Sequence, residues 1–214
     1  MRLDHVSYVA SHDQISDVVN RIGSQISTAF IDGGIHPKFG TRNFTAPLLN
    51  GQYIEVVCPL DHPATDSTPF GQAVKKKAEA GGGWLTWVFS SNELSKIEEK
   101  FGRKAADGYR TRPDGSELKW KQIGVKEIVG AGELPFFIQW LTDNHPSKDG
   151  NSAAKITKIV IADDEKLADS WFQGEIQSGL KGVEIEWVKP EANDGDKGIM
   201  AVHLTTPTGV VKLN

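Results

Sequence analysis

Short apolar runs recur along the chain, and each is followed by apolar residues at helical spacing. The first run is His5-Val6-Ser7-Tyr8-Val9-Ala10-Ser11, and Ile15, Val18, Val19 and Ile22 follow at the i, i+3, i+4, i+7 spacing of an amphipathic helix. The second is Trp84-Leu85-Thr86-Trp87-Val88-Phe89-Ser90, followed by Leu94, Ile97 and Phe101. A shift of 79 positions lays the two together, with Ser7 on Thr86, Tyr8 on Trp87, Ile15 on Leu94 and Ile22 on Phe101. A third run, Thr157-Lys158-Ile159-Val160-Ile161-Ala162-Asp163, leads into Leu167 and Trp171 at a shift of 152. Ser11 or Asp13, Ser91 or Asn92, and Asp163 or Asp164 offer side-chain oxygens to cap the three helices.

Strand patterns fill the rest of each unit. In the first they cover 29–31, 41–49 and 52–58, with Asn50-Gly51 as a hairpin turn because both residues tolerate positive φ. In the second, Pro113-Asp114-Gly115 divides 104–109 from 117–124, and 136–141 closes the unit. In the third, 183–188, 199–205 and 210–213 repeat the plan. The reading is therefore α+β, built from tandem βαβββ units. Units 1–62 and 83–146 pair as one domain through a connecting helix over 68–81, and a third βαβββ-like unit spans 155–214. Residues 144–154 form the linker. The first and last strands of each unit carry one polar-capable position apiece: His5 with Glu55, Trp84 with Gln139, Thr157 with Lys212.

Composition narrows the function. A formal charge of −4, with no basic stripe beyond Lys75-Lys76-Lys77, gives no reason to expect nucleic acid. No apolar run approaches the ~20 residues of a membrane span. The single Cys58 excludes an internal disulfide and, as a small hydrophobe in an apolar strand, fits a reducing compartment; the expected location is the cytoplasm. Phosphate-cradling loops, zinc cysteine clusters and nucleophile elbows are missing from the sequence, which sets aside nucleotide and serine hydrolysis.

The stretch Gly33-Gly34-Ile35-His36-Pro37-Lys38-Phe39-Gly40-Thr41-Arg42-Asn43, followed by Gly51-Gln52-Tyr53-Ile54-Glu55-Val56, resembles the glyoxalase-like domain family of the vicinal oxygen chelate superfamily. The resemblance is specific over residues 3–59, moderate over the second unit and structural only over the third. It implies that the first two units curl into a partly open barrel with helices outside and a ligand within. It also implies a divalent metal held by first and last strands, acting as Lewis acid in a lyase, isomerase or dioxygenase on a small oxygen-rich metabolite. Some members are metal-free binding proteins.

Carried onto this chain, the resemblance makes His5, Glu55 and Gln139 the metal ligands, with Trp84 at a fourth position it cannot fill. Glu55 and His36 are the catalytic candidates, Glu55 as proton acceptor. Thr41, Asn43, Trp84 and Trp140 are candidate substrate contacts, and Arg42 is available for an anionic substrate. Plainer readings stand beside these. His5 and Glu55 can be a buried hydrogen-bonded pair, residues 34–43 a shaped turn, the tryptophans core, and His62 and His145 turn residues before proline. An odd third unit leaves two options, docking on the other two or pairing across a homodimer.

Overall fold

The computed structural model describes residues 1–129, 134–166 and 180–214. The elements are β1 (Arg2–Val9), α1 (Ile15–Ile26), β2 (Ile31–His36), β3 (Thr41–Pro47), β4 (Tyr53–Pro59), α2 (Pro63–Ser67), α3 (Pro69–Glu79) and β5 (Gly83–Ser90). Then come α4 (Ser95–Phe101), β6 (Ala106–Thr111), β7 (Glu117–Ile123), β8 (Phe136–Trp140), β9 (Lys155–Ala162), β10 (Glu184–Val188), β11 (Gly198–Thr206) and β12 (Gly209–Leu213). The architecture is α+β, as the strand–helix–three-strand pattern predicts. The third unit's helix, expected at Leu167 and Trp171, lies outside the described residues.

Local chemistry explains the element ends. Ile15, Ile22 and Ile26 bury the apolar face of α1, and Ser27 ends it in the left-handed conformation. Its N-cap is Gln14 rather than Ser11 or Asp13, and no side chain caps it. The connecting helix begins as expected, with Pro69 in its first turn and Thr68 accepting from Gly71 N. Asn50 and Gly51 both take positive φ, in a short 3-10 turn between β3 and β4.

Strands β1 to β8 close into a barrel in the order β1-β4-β3-β2-β6-β7-β8-β5. β1 lies parallel to β4 and antiparallel to β5, so it joins the two units. On the opposite side β2 and β6 meet through one pair, Ile35 with Thr111. The ring is closed there by its thinnest seam.

The repeat holds, but its register differs from the sequence alignment. His5, Val6 and Ser7 pair with Val88, Trp87 and Thr86, and the register skips Asp4 on β1 and Leu85 on β5, so the local two-fold exchanges Val6 with Trp87, an offset of 81 rather than 79. His5 thus corresponds to Thr86 and Ser7 to Val88. Ser7 pairs with Glu55, while Val88 pairs with Phe136, which makes Phe136 the counterpart of Glu55.

The third unit keeps the strand sequence but changes the pairing. Its order is β10-β9-β11-β12, with first strand β9 parallel to β10 instead of to the last strand. It docks on the outer face of β5. Trp84, Trp87 and Phe89 share one buried cluster with Ile159, Ile161, Val202, Leu204 and Leu213. Trp87 and Trp187 meet edge to face at 6.5 Å. Fully burying a side chain such as Phe89 contributes about 1.5–3 kcal/mol, so this apolar face is a substantial tie between the two sheets.

Candidate functional site

Alternation along the strands decides which side chains enter the barrel. From β4 these are Tyr53 and Glu55; from β7, Trp120 and Gln122; from β8, Phe136, Ile138 and Trp140. His5 on β1, His36 on β2, Asn43 on β3 and Arg110 on β6 join them around a cavity of about 30 Å³, roofed by Phe39 and Phe70. That volume suits roughly two waters, at ~10–15 Å³ each, or one small polar group.

Two polar assemblies share this cavity. In the first, Ser7 Oγ donates to Glu55 Oε2 at 2.6 Å and Asn43 Nδ2 donates to Glu55 Oε1 at 2.6 Å. Arg110 Nη1 donates in turn to Asn43 Oδ1. Burial pushes the Glu55 carboxyl up, but the nearby His5 ring and the Ser7 and Asn43 hydrogen bonds bring it below its ordinary value. Glu55 is therefore a carboxylate at neutral pH.

In the second assembly, a break in the β1–β5 register between Leu3 and His5 leaves Asp4 without a strand partner. Asp4 is fully buried; Oδ2 lies 3.0 Å from His5 Nδ1 and accepts from Trp140 Nε1 at 3.2 Å. Its Oδ1 lies 3.1 Å from His145 Nε2 and 3.0 Å from Arg2 Nη2. Burial opposes its charge, yet hydrogen bonds from His145 and His5 win and hold the carboxyl far below its usual range. Ionised Asp4 accepts from His5 Nδ1 and so fixes the orientation of the ring that lines the cavity. The His5 ring stacks on Tyr53 at 4.3 Å.

His36 Nδ1 lies 3.0 Å from Thr41 Oγ1. Burial first, then the charge of Arg110, depresses its pKa to about 3, so the ring is neutral. Trp120 reaches the wall because Gly108 faces it across the strand pair; a Cβ there would stand 2.3 Å from the indole. Trp120 and Trp140 lie 5.7 Å apart, centroid to centroid.

Several residues picked from sequence lie elsewhere. Gln139 alternates with Ile138 and Trp140, so it points out of the barrel and donates to Asn92 O at 2.7 Å. Trp84 also faces out, packing edge-on against Tyr8 at 5.1 Å and donating to Leu213 O at 3.4 Å. It supports the C-terminal sheet and does not narrow the cavity. Arg42 alternates with Thr41 and Asn43, pairs with Asp32 and lines an outer cleft. Thr41 is buried behind His36 as its hydrogen-bond partner. His36, Asn43, Glu55, His5 and Trp140 do meet at the cavity.

Sequence reasoning missed Asp4, Ser7, Arg110 and the second task of His145. His145 is a turn residue, capping the turn at Ser147 N, and also a partner of Asp4. The β6 segment Ala-Asp-Gly-Tyr-Arg-Thr lacks the apolar alternation that would have marked Arg110 as inward-facing. Only its pairing with β7 sets that parity.

A family model for a glyoxalase-like domain matches residues 3–174. The chain belongs to the glyoxalase-like domain family. No curated protein matches it in sequence. Among solved structures, a hypothetical protein from Staphylococcus aureus aligns over 100% of this chain and 98% of its own, with TM-score 0.69 and 16% identity. Methylmalonyl-CoA epimerase from Streptomyces coelicolor, in complex with 2-nitronate-propionyl-CoA, aligns over 66% of this chain and 99% of its own, at TM-score 0.44 and 15% identity. The first of these likenesses speaks to fold alone.

The family resemblance implies a divalent metal, so the donor set matters. His5 and Glu55 stand at first- and last-strand positions, but their two-fold counterparts are Thr86 and Phe136. Thr86 Oγ1 is directed at the carbonyls of Trp87 and Leu134. Among the described residues no group of three or more His, Cys, Asp or Glu side chains is placed to hold an ion. Two donors, one of them a carboxylate with both oxygens already hydrogen-bonded, do not fit a metal cage of the expected kind. Among the described residues, no helix is long and apolar enough to cross a membrane.

Proposed function

We propose that this glyoxalase-like chain is an enzyme that moves a proton on a small, oxygen-bearing metabolite enclosed by the barrel, using its own side chains. The observation that supports this most is the Asp4–His5 pair opening onto the same cavity as the clamped Glu55 carboxylate. His5 Nε2 is the proton acceptor. Asp4 holds the ring's tautomer and stabilises the imidazolium that forms, and Glu55 adds a second negative charge beside it. Glu55 is the poorer acceptor, because its charge is already stabilised by Ser7 and Asn43 and its pKa is low. Neutral His36, held by Thr41, supplies a hydrogen bond to a substrate oxygen.

The test is deuterium incorporation, by proton NMR in D2O, into the enolisable carbon of pyruvate and of its methyl ester. Wild-type protein is expected to accelerate exchange in at least one of the two, and His5→Gln to lose about 10²–10⁴-fold of that acceleration. Equal rates with both proteins, or loss of activity on EDTA treatment, would reject the reading. A second reading, binding without turnover, draws on the aromatic walls and on a Glu55 whose oxygens are both engaged. It predicts saturable ligand binding and no exchange above background.

A further inference from the structure

Among the described residues, Arg110 is one of the largest fully buried side chains, at 2% exposure. The surrounding fold does not account for this guanidinium. Among the described residues it forms no ion pair, and its one hydrogen bond runs to a neutral acceptor, Asn43 Oδ1. The nearest candidate counter-charge, Glu55, is separated from it by the Asn43 amide and has both oxygens engaged. A guanidinium has five donors. None of Arg110's nitrogens is among the buried atoms lacking a partner, so the unused donors open onto the cavity that the side chain lines.

The fold makes room for this arrangement. A Cβ on Gly33 would stand 2.0 Å from Arg110 Nη1 and 2.1 Å from Asn43 Oδ1, so the glycine provides the space in which both side chains sit. Burying a cation without a carboxylate is costly, and a bound anion removes that cost. The planar fork of the guanidinium matches a carboxylate, which accepts two parallel N–H bonds. A phosphate dianion fits poorly, because one guanidinium faces it and the Glu55 charge lies close by. The remaining walls include Phe39, Phe70, Trp120, Phe136 and Ile138, and a cavity of about 30 Å³ limits the ligand to a carboxylate bearing a small apolar group.

We infer that Arg110 is the anchor of a carboxylate subsite and that the ligands of this cavity are short-chain monocarboxylates. This deepens the proton-transfer reading and rests on it for the chemistry, though not for the binding. The ligand's carboxylate docks on Arg110, and its adjoining carbon lies among the aromatic rings beside His5 and Glu55.

The experiment compares formate with formamide and acetate with acetamide by calorimetric titration of wild type, Arg110→Gln and Arg110→Lys. In wild type at least one carboxylate is expected to bind tenfold or more tightly than its amide. The ratio falls to about one in Arg110→Gln and is partly kept in Arg110→Lys. Equal affinity for both acid–amide pairs in wild type, or an unchanged ratio in Arg110→Gln, overturns the inference. If Arg110→Gln does not fold, the side-chain nitrogen resonances of labelled wild-type protein decide. Arg110 Nη must shift with the carboxylate and not with the amide, and no shift at millimolar carboxylate overturns the subsite. Carboxylate selectivity without His5-dependent exchange would leave the subsite standing and reject the proton-transfer reading. His5-dependent exchange with no acid-over-amide preference would do the reverse.

Discussion

Replacing Gly33 by alanine adds a single methyl group where two polar side chains already meet. Its Cβ would lie 2.0 Å from Arg110 Nη1, 2.1 Å from Asn43 Oδ1 and 3.0 Å from Asn43 Cγ. No real Cβ contact is that short, so the guanidinium and the amide must separate. Overpacking of a tight interior costs about 1–3 kcal/mol. Loss of the Arg110–Asn43 hydrogen bond, which involves a charged donor, costs about 1.5–3 kcal/mol more. Partial relaxation makes roughly 2–5 kcal/mol the expected total. Gly115→Ala is the comparison: φ is +83° and nothing lies within 4 Å of the added atom, so only backbone strain of about 1–2 kcal/mol is expected. Urea unfolding followed by tryptophan fluorescence measures both. Gly33→Ala should be the more destabilised, and its affinity for acetate should fall with its stability. A loss below about 0.5 kcal/mol would mean that the packing of Gly33, Asn43 and Arg110 has been misread.

Three further outcomes follow from particular side chains. His36 stays neutral in the folded protein down to about pH 3, whereas the unfolded ring gains its proton near 6.5. Between those values the unfolded state binds more protons, so this contribution is whole above pH 6.5 and declines on acidification, at a limiting slope of about 1.4 kcal/mol per pH unit. Urea midpoints between about pH 7.5 and 5 should fall less steeply in His36→Gln, and parallel curves would contradict the assignment. Burial pushes the Cys58 thiol up to about 11, so Ellman's reagent should label it only as the protein unfolds; rapid labelling of native protein would show the strand to be accessible. Trp84→Ala should cost about 3–5 kcal/mol by opening the contact between β5 and the C-terminal sheet. Acetate affinity should be unaffected, and a matching loss of binding would return Trp84 to the cavity.

Sequence by itself determined a great deal here. Apolar runs followed by helical spacing placed β1 with α1 and β5 with α4, because these patterns are local and each element must bury one face. Glycine, proline and asparagine punctuation located the breaks for the same local reason, as at Asn50-Gly51. The residues 33–43 and 51–56 identified the family, and His5, His36, Asn43 and Glu55 were legible as a group. The tertiary structure decided what local pattern cannot carry. A shift of two positions between the repeats moved the counterparts of His5 and Glu55 to Thr86 and Phe136, and strand parity turned Gln139, Arg42 and Trp84 away from the cavity. Shifting a strand by one residue reverses its faces, and only pairing fixes that choice. The third unit's sheet order, the docking that claims Trp84, and the approach of Arg110 to Asn43 across 67 residues all depend on contacts distant in sequence. Those contacts replace the metal cage suggested by the resemblance with a buried guanidinium, a histidine held by Asp4, and a clamped carboxylate around one small cavity.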